Sequence, residues 1–207
     1  MNKTEERRHS RASELLGFDK QKGMSACVLA GMDEVGRGPL AGPVVAACVV
    51  MPEEPLLIWV DDSKKLSEKR RDILYEEIIK NARYIGVGQS SHERIDDINI
   101  LEATKEAMRD AASQIPADIF LIDAVTGLKL KGKEIPIIGG DALSYNIAAA
   151  SIVAKVTRDR MMLDFDRQYP EYGFARNKGY GTREHIEALK RCGPCPIHRR
   201  TFIGKLT

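Results

Sequence analysis

Apolar positions recur along the chain with two periods, and each run predicts an element. Residues 26–35 (ACVLAGMDEV) and 43–51 (PVVAACVVM) are short apolar runs of β-branched and small side chains separated by a glycine-proline turn, the pattern of two antiparallel strands. Over 66–82 (LSEKRRDILYEEIIKNA), Leu74, Tyr75, Ile78 and Ile79 fall at helical spacing behind Ser67, a helix-capping residue type. A short strand, 84–89 (YIGVGQ), follows. Ile95, Ile98, Leu101, Thr104, Met108 and Ala112 then recur every three or four positions and predict one long helix over 92–115, stopped by Pro116. Residues 117–125 (ADIFLIDAV) predict a buried strand ending at Asp123, and 134–142 (EIPIIGGDA) a shorter strand running into a glycine turn at Asp141. The alanine-rich stretch 145–169 predicts a helix packed closely on a sheet, and 182–193 a last helix with Thr182 as cap and Gly193 as stop.

Strands first, then alternating helices and strands, predict an α/β fold class: a mixed central sheet flanked by helices. Residues 1–23 are polar apart from 12–18 (ASELLGF) and predict an N-terminal helical or flexible arm preceding one domain over 24–207. Composition sharpens this little. With 207 residues, 43% hydrophobic and 30% charged, the chain is an ordinary globular protein, which excludes a collagen-like or largely disordered one. Lys plus Arg number 32 against 30 for Asp plus Glu, so any nucleic-acid interface must be local rather than a broadly basic surface. Basic residues gather at 5–11, 61–71, 154–160 and 198–200, each of which reads first as solvated surface. No apolar stretch approaches the roughly 20 residues of a membrane span. The cysteines Cys27, Cys48, Cys192 and Cys195 form no disulfide framework, which predicts a reducing, cytoplasmic setting. Cys192 and Cys195 make a C-x-x-C with His198 nearby, but no second pair completes a zinc site, so they read as two thiols in a turn.

The candidate chemistry lies in acids at strand ends. Gly36-Arg37-Gly38-Pro39-Leu40-Ala41 satisfies a dinucleotide-binding fingerprint, but that motif presents a helix N-terminus to a pyrophosphate, and the next segment here has strand character. Asp33 and Glu34 end the first strand, Asp123 ends another, and Asp141 precedes a helix. Taken singly, Asp123 and Asp141 read as turn or cap acids. Nothing in an apolar run requires the adjacent pair Asp33 and Glu34. Converged at one sheet edge, the four would repel unless cations sat among them, and oxygen-only ligands suit Mg²⁺ or Mn²⁺.

Six segments, 31–47, 61–71 (DDSKKLSEKRR), 121–125 (LIDAV), 139–160 (GGDALSYNIAAASIVAKVTRDR), 172–185 (YGFARNKGYGTREH) and 196–202 (PIHRRTF), together resemble the bacterial ribonuclease HII family from about Ala26 to Phe202. The resemblance implies an RNase H-like fold with a small C-terminal helical extension from about residue 170. It implies a monomer without a membrane, whose partners are RNA/DNA hybrid and ribonucleotide-containing duplex DNA. The RNA strand would be hydrolysed, and embedded ribonucleotides incised on their 5′ side, by a two-metal mechanism using Mn²⁺ or Mg²⁺ that leaves 5′-phosphate and 3′-hydroxyl ends. It assigns catalysis and metal binding to Asp33, Glu34, Asp123 and Asp141, ribonucleotide reading to Gly36, Arg37 and Gly38, and packing on the next sugar to Tyr180. Asp62, Ser63 and Lys64 match a groove segment. Lys155, Lys178, Arg199 and Arg200 are expected phosphate contacts, and Thr182 a phosphate contact or a helix cap. Where that family usually carries Lys-Gly-Asp, this chain has Gly139-Gly140-Asp141. Two rivals are a catalytically silent hybrid-binding protein, for which four acids facing a polyanion serve no purpose, and a DNA-junction nuclease, which needs no ribose-reading turn.

Overall fold

A computed structural model describes residues 2–23 and 27–204; Ala26, where the first predicted strand begins, lies outside them. The elements in chain order are α1 (Lys3–Lys22), β1 (Leu29–Val35), β2 (Val44–Val50), α2 (Glu68–Asn81), β3 (Tyr84–Ser90), α3 (His92–Ile98), α4 (Ile100–Ser113), β4 (Ile119–Asp123), β5 (Lys133–Ile137), α5 (Tyr145–Gln168), α6 (Phe174–Asn177), α7 (Arg183–Cys192) and α8 (Arg200–Ile203).

The five strands form one mixed sheet in the order β3-β2-β1-β4-β5. β1 pairs antiparallel with β2 and parallel with β4, and β5 continues the parallel half. The C-terminal ends of β1, β4 and β5 therefore share one edge, where the terminal acids of β1 and β4 come together.

Side-chain alternation gives each face of the sheet its own core. Ala47 and Val49 of β2 pack with α1, α2 and α5 on one side, while Met32, Ala46 and Phe120 pack with α4 on the other. Gly31 is required on the α5 side: a Cβ there would collide with the Asn146–Ile147 backbone, so only glycine lets α5 lie this close to β1. A smaller core of Met162, Tyr172, Phe174, Leu189 and Ile197 seats α6, α7 and α8.

The one helix predicted over 92–115 is two. Asn99 adopts φ +73° and caps α4, its side chain accepting from the N–H groups of Leu101 and Glu102. A single-residue break leaves the apolar period almost in phase, so periodicity does not register it, although Leu101 is 43% exposed. Residues 3–22 are helical, capped by Asn2 in a capping box with Glu5, and Ala12 and Leu15 are fully buried against the main core.

Candidate active site

Met32 of β1 pairs with Ile122 of β4, so the residues that follow, Asp33 and Asp123, sit at the same level on the face toward α5. Asp141 arrives from a 3-10 turn, Gly140–Ala142, just ahead of α5. That turn is tied to β4 by the Gly140 N–H, which donates to Asp123 Oδ1 at 2.8 Å. Asp33, Asp123 and Asp141 each offer a carboxylate oxygen, all within 4.8 Å of one another. Glu34 is not in this triad. Alternation points it to the other face of β1, where its Oε1 lies 3.3 Å from Arg37 Nη1 and its Oε2 is buried without a hydrogen-bond partner.

The cluster is electrostatically loaded. Burial, and then the charges of Glu34, Asp123 and Asp141, push the Asp33 carboxyl well above the ordinary carboxylate range. Burial raises Glu34 too, opposed by Arg37, and it raises Asp123 against the Gly140 hydrogen bond. Lys64 Nζ lies 3.1 Å from Asp141 Oδ2, and that hydrogen bond raises the lysine's own pKa. Three crowded carboxylates offering only oxygen donors fit a hard divalent cation and no soft one.

Beside the acids runs the glycine turn. Gly36 has φ +96°, a region that favours glycine, and a Cβ there would strike Arg158. After Gly38 the chain enters β2 without a helix, so the dinucleotide-binding geometry is absent here. The Tyr180 ring comes within 3.8 Å of where a Gly38 Cβ would sit and is 42% exposed. The turn and the tyrosine therefore share one surface.

The expected basic contacts divide. Lys64 reaches the acids. Arg199 does not face solvent: it is fully buried and donates to the carbonyls of Gly36, Arg37 and Gly42, holding the turn from behind. Arg199 is therefore a support behind the turn and not the expected phosphate contact. Lys155 pairs with Asp159 at 2.7 Å, one turn on in α5, and Lys178 lies 3.7 Å from Glu68. Arg200 is exposed at the start of α8. Asp62 accepts from the Lys64 N–H, Ser63 is buried with its carbonyl bonded to Arg71, and Thr182 caps α7 by accepting from the His185 N–H. Cys195 is buried beside His198, whereas Cys192 is exposed.

Arg158 was not singled out from the sequence. It is fully buried and donates to the carbonyls of Pro43, Ala41 and Lys178, so one side chain fastens both the glycine turn and the loop before Tyr180. Its signal was available: Ala154, Arg158 and Met162 lie on one buried helix face, where a solvated arginine has no place.

A ribonuclease HII family profile matches residues 30–205. The chain belongs to the ribonuclease HII family. Its relatives include the ribonuclease HII of Lachnoclostridium phytofermentans, 55% identical over 86% of this chain and 71% of that one. The ribonuclease HII of Caldanaerobacter subterraneus is 49% identical over 97% and 85%. Among solved structures, the ribonuclease H2 of Pyrococcus horikoshii superposes with a TM-score of 0.72 at 29% identity, covering 86% of this chain and 96% of that one. Family membership makes this chain a metal-dependent ribonuclease on an RNase H-like fold. No described helix is long and apolar enough to cross a membrane.

Proposed function

We propose that this ribonuclease HII hydrolyses the RNA strand of RNA/DNA hybrids and incises 5′ of ribonucleotides embedded in duplex DNA, with Asp33, Asp123 and Asp141 as its central ligands and Glu34 as the fourth acid. The convergence of three carboxylates from separate elements beside a turn shared with Tyr180 carries this reading. Mn²⁺ or Mg²⁺, when bound, supplies Lewis acidity toward the phosphodiester and the attacking water. The chain's own residues do the rest. The acids hold their oxygens at fixed spacing, with Asp123 set by the Gly140 N–H. The Gly36-Arg37-Gly38 backbone approaches the sugar where the 2′-hydroxyl distinguishes RNA from DNA. The exposed Tyr180 ring packs on the next sugar, and Lys64 meets phosphate.

The test is a duplex containing one ribonucleotide, compared with its all-DNA counterpart, in Mn²⁺ or Mg²⁺. Cutting on the 5′ side of the ribonucleotide, with the all-DNA duplex intact, is expected. Equal cutting of both would sink ribose reading, and binding without cutting would favour the silent hybrid binder. Tyr180→Ala is expected to weaken the junction preference and to leave cation affinity unchanged.

A further inference from the structure

Helix α1 lies outside the residues matched by the family profile, which begin at 30, yet it touches both loops that carry the site's charges. Arg11 makes the contact. Its Nη2 donates to the Ala142 carbonyl at 2.6 Å, and its Nε lies 3.8 Å from Asp61 Oδ1. Its Nη1 donates to Glu14, one turn on in α1, at 2.8 Å, which aims the guanidinium. Ala142 directly follows Asp141. On the other loop, Asp61 Oδ1 accepts the Asp62 N–H at 2.9 Å, Asp62 Oδ1 accepts the Lys64 N–H at 2.9 Å, and Lys64 Nζ meets Asp141 Oδ2 at 3.1 Å. These contacts close a ring from Asp141 through Ala142, Arg11, Asp61, Asp62 and Lys64 back to Asp141.

The helix supplying Arg11 is itself anchored. Arg8 Nη1 donates to Asp61 Oδ2 at 3.2 Å, and its guanidinium lies 5.0 Å from the Trp59 ring centroid. At the far end of α1, Asp19 Oδ2 accepts from the Asn146 N–H at 2.9 Å and from its side-chain amide at 2.8 Å, and Asn146 Oδ1 accepts the Met51 N–H at 2.7 Å. The turn that Arg11 grips begins at Gly140, directly after Gly139 in the left-handed region, so the Asp141 carboxylate depends on contacts such as this one and the Gly140 N–H bond to Asp123. A planar guanidinium is suited to this place because it donates to the Ala142 carbonyl of one loop while its charge faces the Asp61 carboxylate of the other, as an ammonium cannot with equal geometry.

We propose that Arg11 is a positioning residue for hydrolysis: it fixes Asp141 against Asp33 and Asp123 and keeps Lys64 beside them, so that α1 is part of the working site. The proposal rests on the acid cluster being the hydrolytic centre. Arg11→Met keeps the stem and removes the guanidinium, while Arg11→Lys keeps a donor and a charge. Groups that orient metal-binding side chains typically govern affinity and activity by 10–100-fold, so Arg11→Met is expected to lower kcat on the single-ribonucleotide duplex by about tenfold and to weaken calorimetric Mn²⁺ binding by a similar factor, with KM within about twofold. Arg11→Lys recovers part of both losses. Combining Arg11→Met with Asp61→Asn costs no more than the worse single change, because both break the same ring.

Wild-type kcat and Mn²⁺ affinity in Arg11→Met, alongside an inactive but folded Asp141→Asn, would overturn the positioning role and leave the site reading in place. A fully active Asp141→Asn would instead remove the site reading. Should thermal melts show Arg11→Met unfolded, Asp61→Asn carries the test alone, and unchanged kcat and affinity there overturn the ring.

Discussion

Lys64 and Asp141, 77 positions apart in the chain, meet through an Nζ to Oδ2 contact of 3.1 Å beside the acid cluster. The lysine side chain is 78% exposed, so it can leave that carboxylate for a substrate phosphate at little cost. Lys64→Met is therefore expected to change stability by less than about 0.5 kcal/mol. Substrate binding should weaken, and the slope of log affinity against log salt should become shallower by about 0.9, the value of one phosphate contact on duplex DNA. Binding across a salt series with Ca²⁺ in place of Mg²⁺ checks it; identical slopes would mean Lys64 never reaches phosphate.

Asp33 is the most heavily opposed of the acids, by burial and by three neighbouring carboxylates. Asp33→Asn removes a charge that the folded state disfavours, so in metal-free buffer the variant should melt above the wild type. It should have no measurable cleavage. Added Mg²⁺ should raise the wild-type melting temperature more than the variant's, because a ligand that binds only the folded state stabilises it. A folded Asp33→Asn protein cutting at the wild-type rate would remove Asp33 from the catalytic set.

Gly139 has φ 65° and ψ 37°, and nothing lies within 4 Å of where its Cβ would be. A lysine there has room, and its cost is conformational, about 1 kcal/mol. Lys129 and Lys178 already hold φ values of 60° and 51° in this chain. Gly139→Lys should keep its cleavage activity, lose about that much stability, and bind substrate more tightly with a salt slope steeper by up to about 0.9. Urea melts and the same salt series measure both effects. Loss of cleavage would show that the turn had shifted Asp141.

Asp19 supplies a pH dependence away from the acids. Burial, against hydrogen bonds from Ser144 and Asn146, raises its carboxyl to about 6 from 3.8. Between those values the folded chain keeps the proton and the unfolded chain does not, so stability from this group is full below the unfolded pKa and is lost as pH rises through about 6. The wild type should therefore gain stability relative to Asp19→Asn, by about 2 kcal/mol, as pH falls from about 7.5 to about 4.5. Urea melts of both proteins at the two pH values measure the difference; a constant gap would mean that Asp19 is not strained by burial.

The strands and the acids at their ends were legible because a buried β-branched run that stops at a carboxylate leaves few other readings. The convergence of Asp33, Asp123 and Asp141 follows from β1 and β4 being parallel neighbours, which the separate strands do not announce. Ala124, directly after Asp123, has φ 52°, and an alanine gives no sign of a left-handed turn. Arg199 and Arg158 sit in basic clusters where composition suggests solvent, yet both bind carbonyls inside the fold. The docking of α1 was obscured for a related reason: only Ala12, Leu15 and Asp19 are buried in it, and its working polar side chains look like any solvated charge.

Arg158 and Arg199 are among the largest fully buried side chains of the described residues. Burial lowers them to about 10 and about 9, so both remain cationic at neutral pH beneath the turn that lies beside the acids. Mobile ions screen a charge sealed inside protein from its buried partners far less than they screen surface charges. The grip of Arg158 and Arg199 on the carbonyls behind the turn is therefore expected to persist at ionic strengths that strip surface lysines from phosphate, so the turn keeps its shape where surface contacts fail.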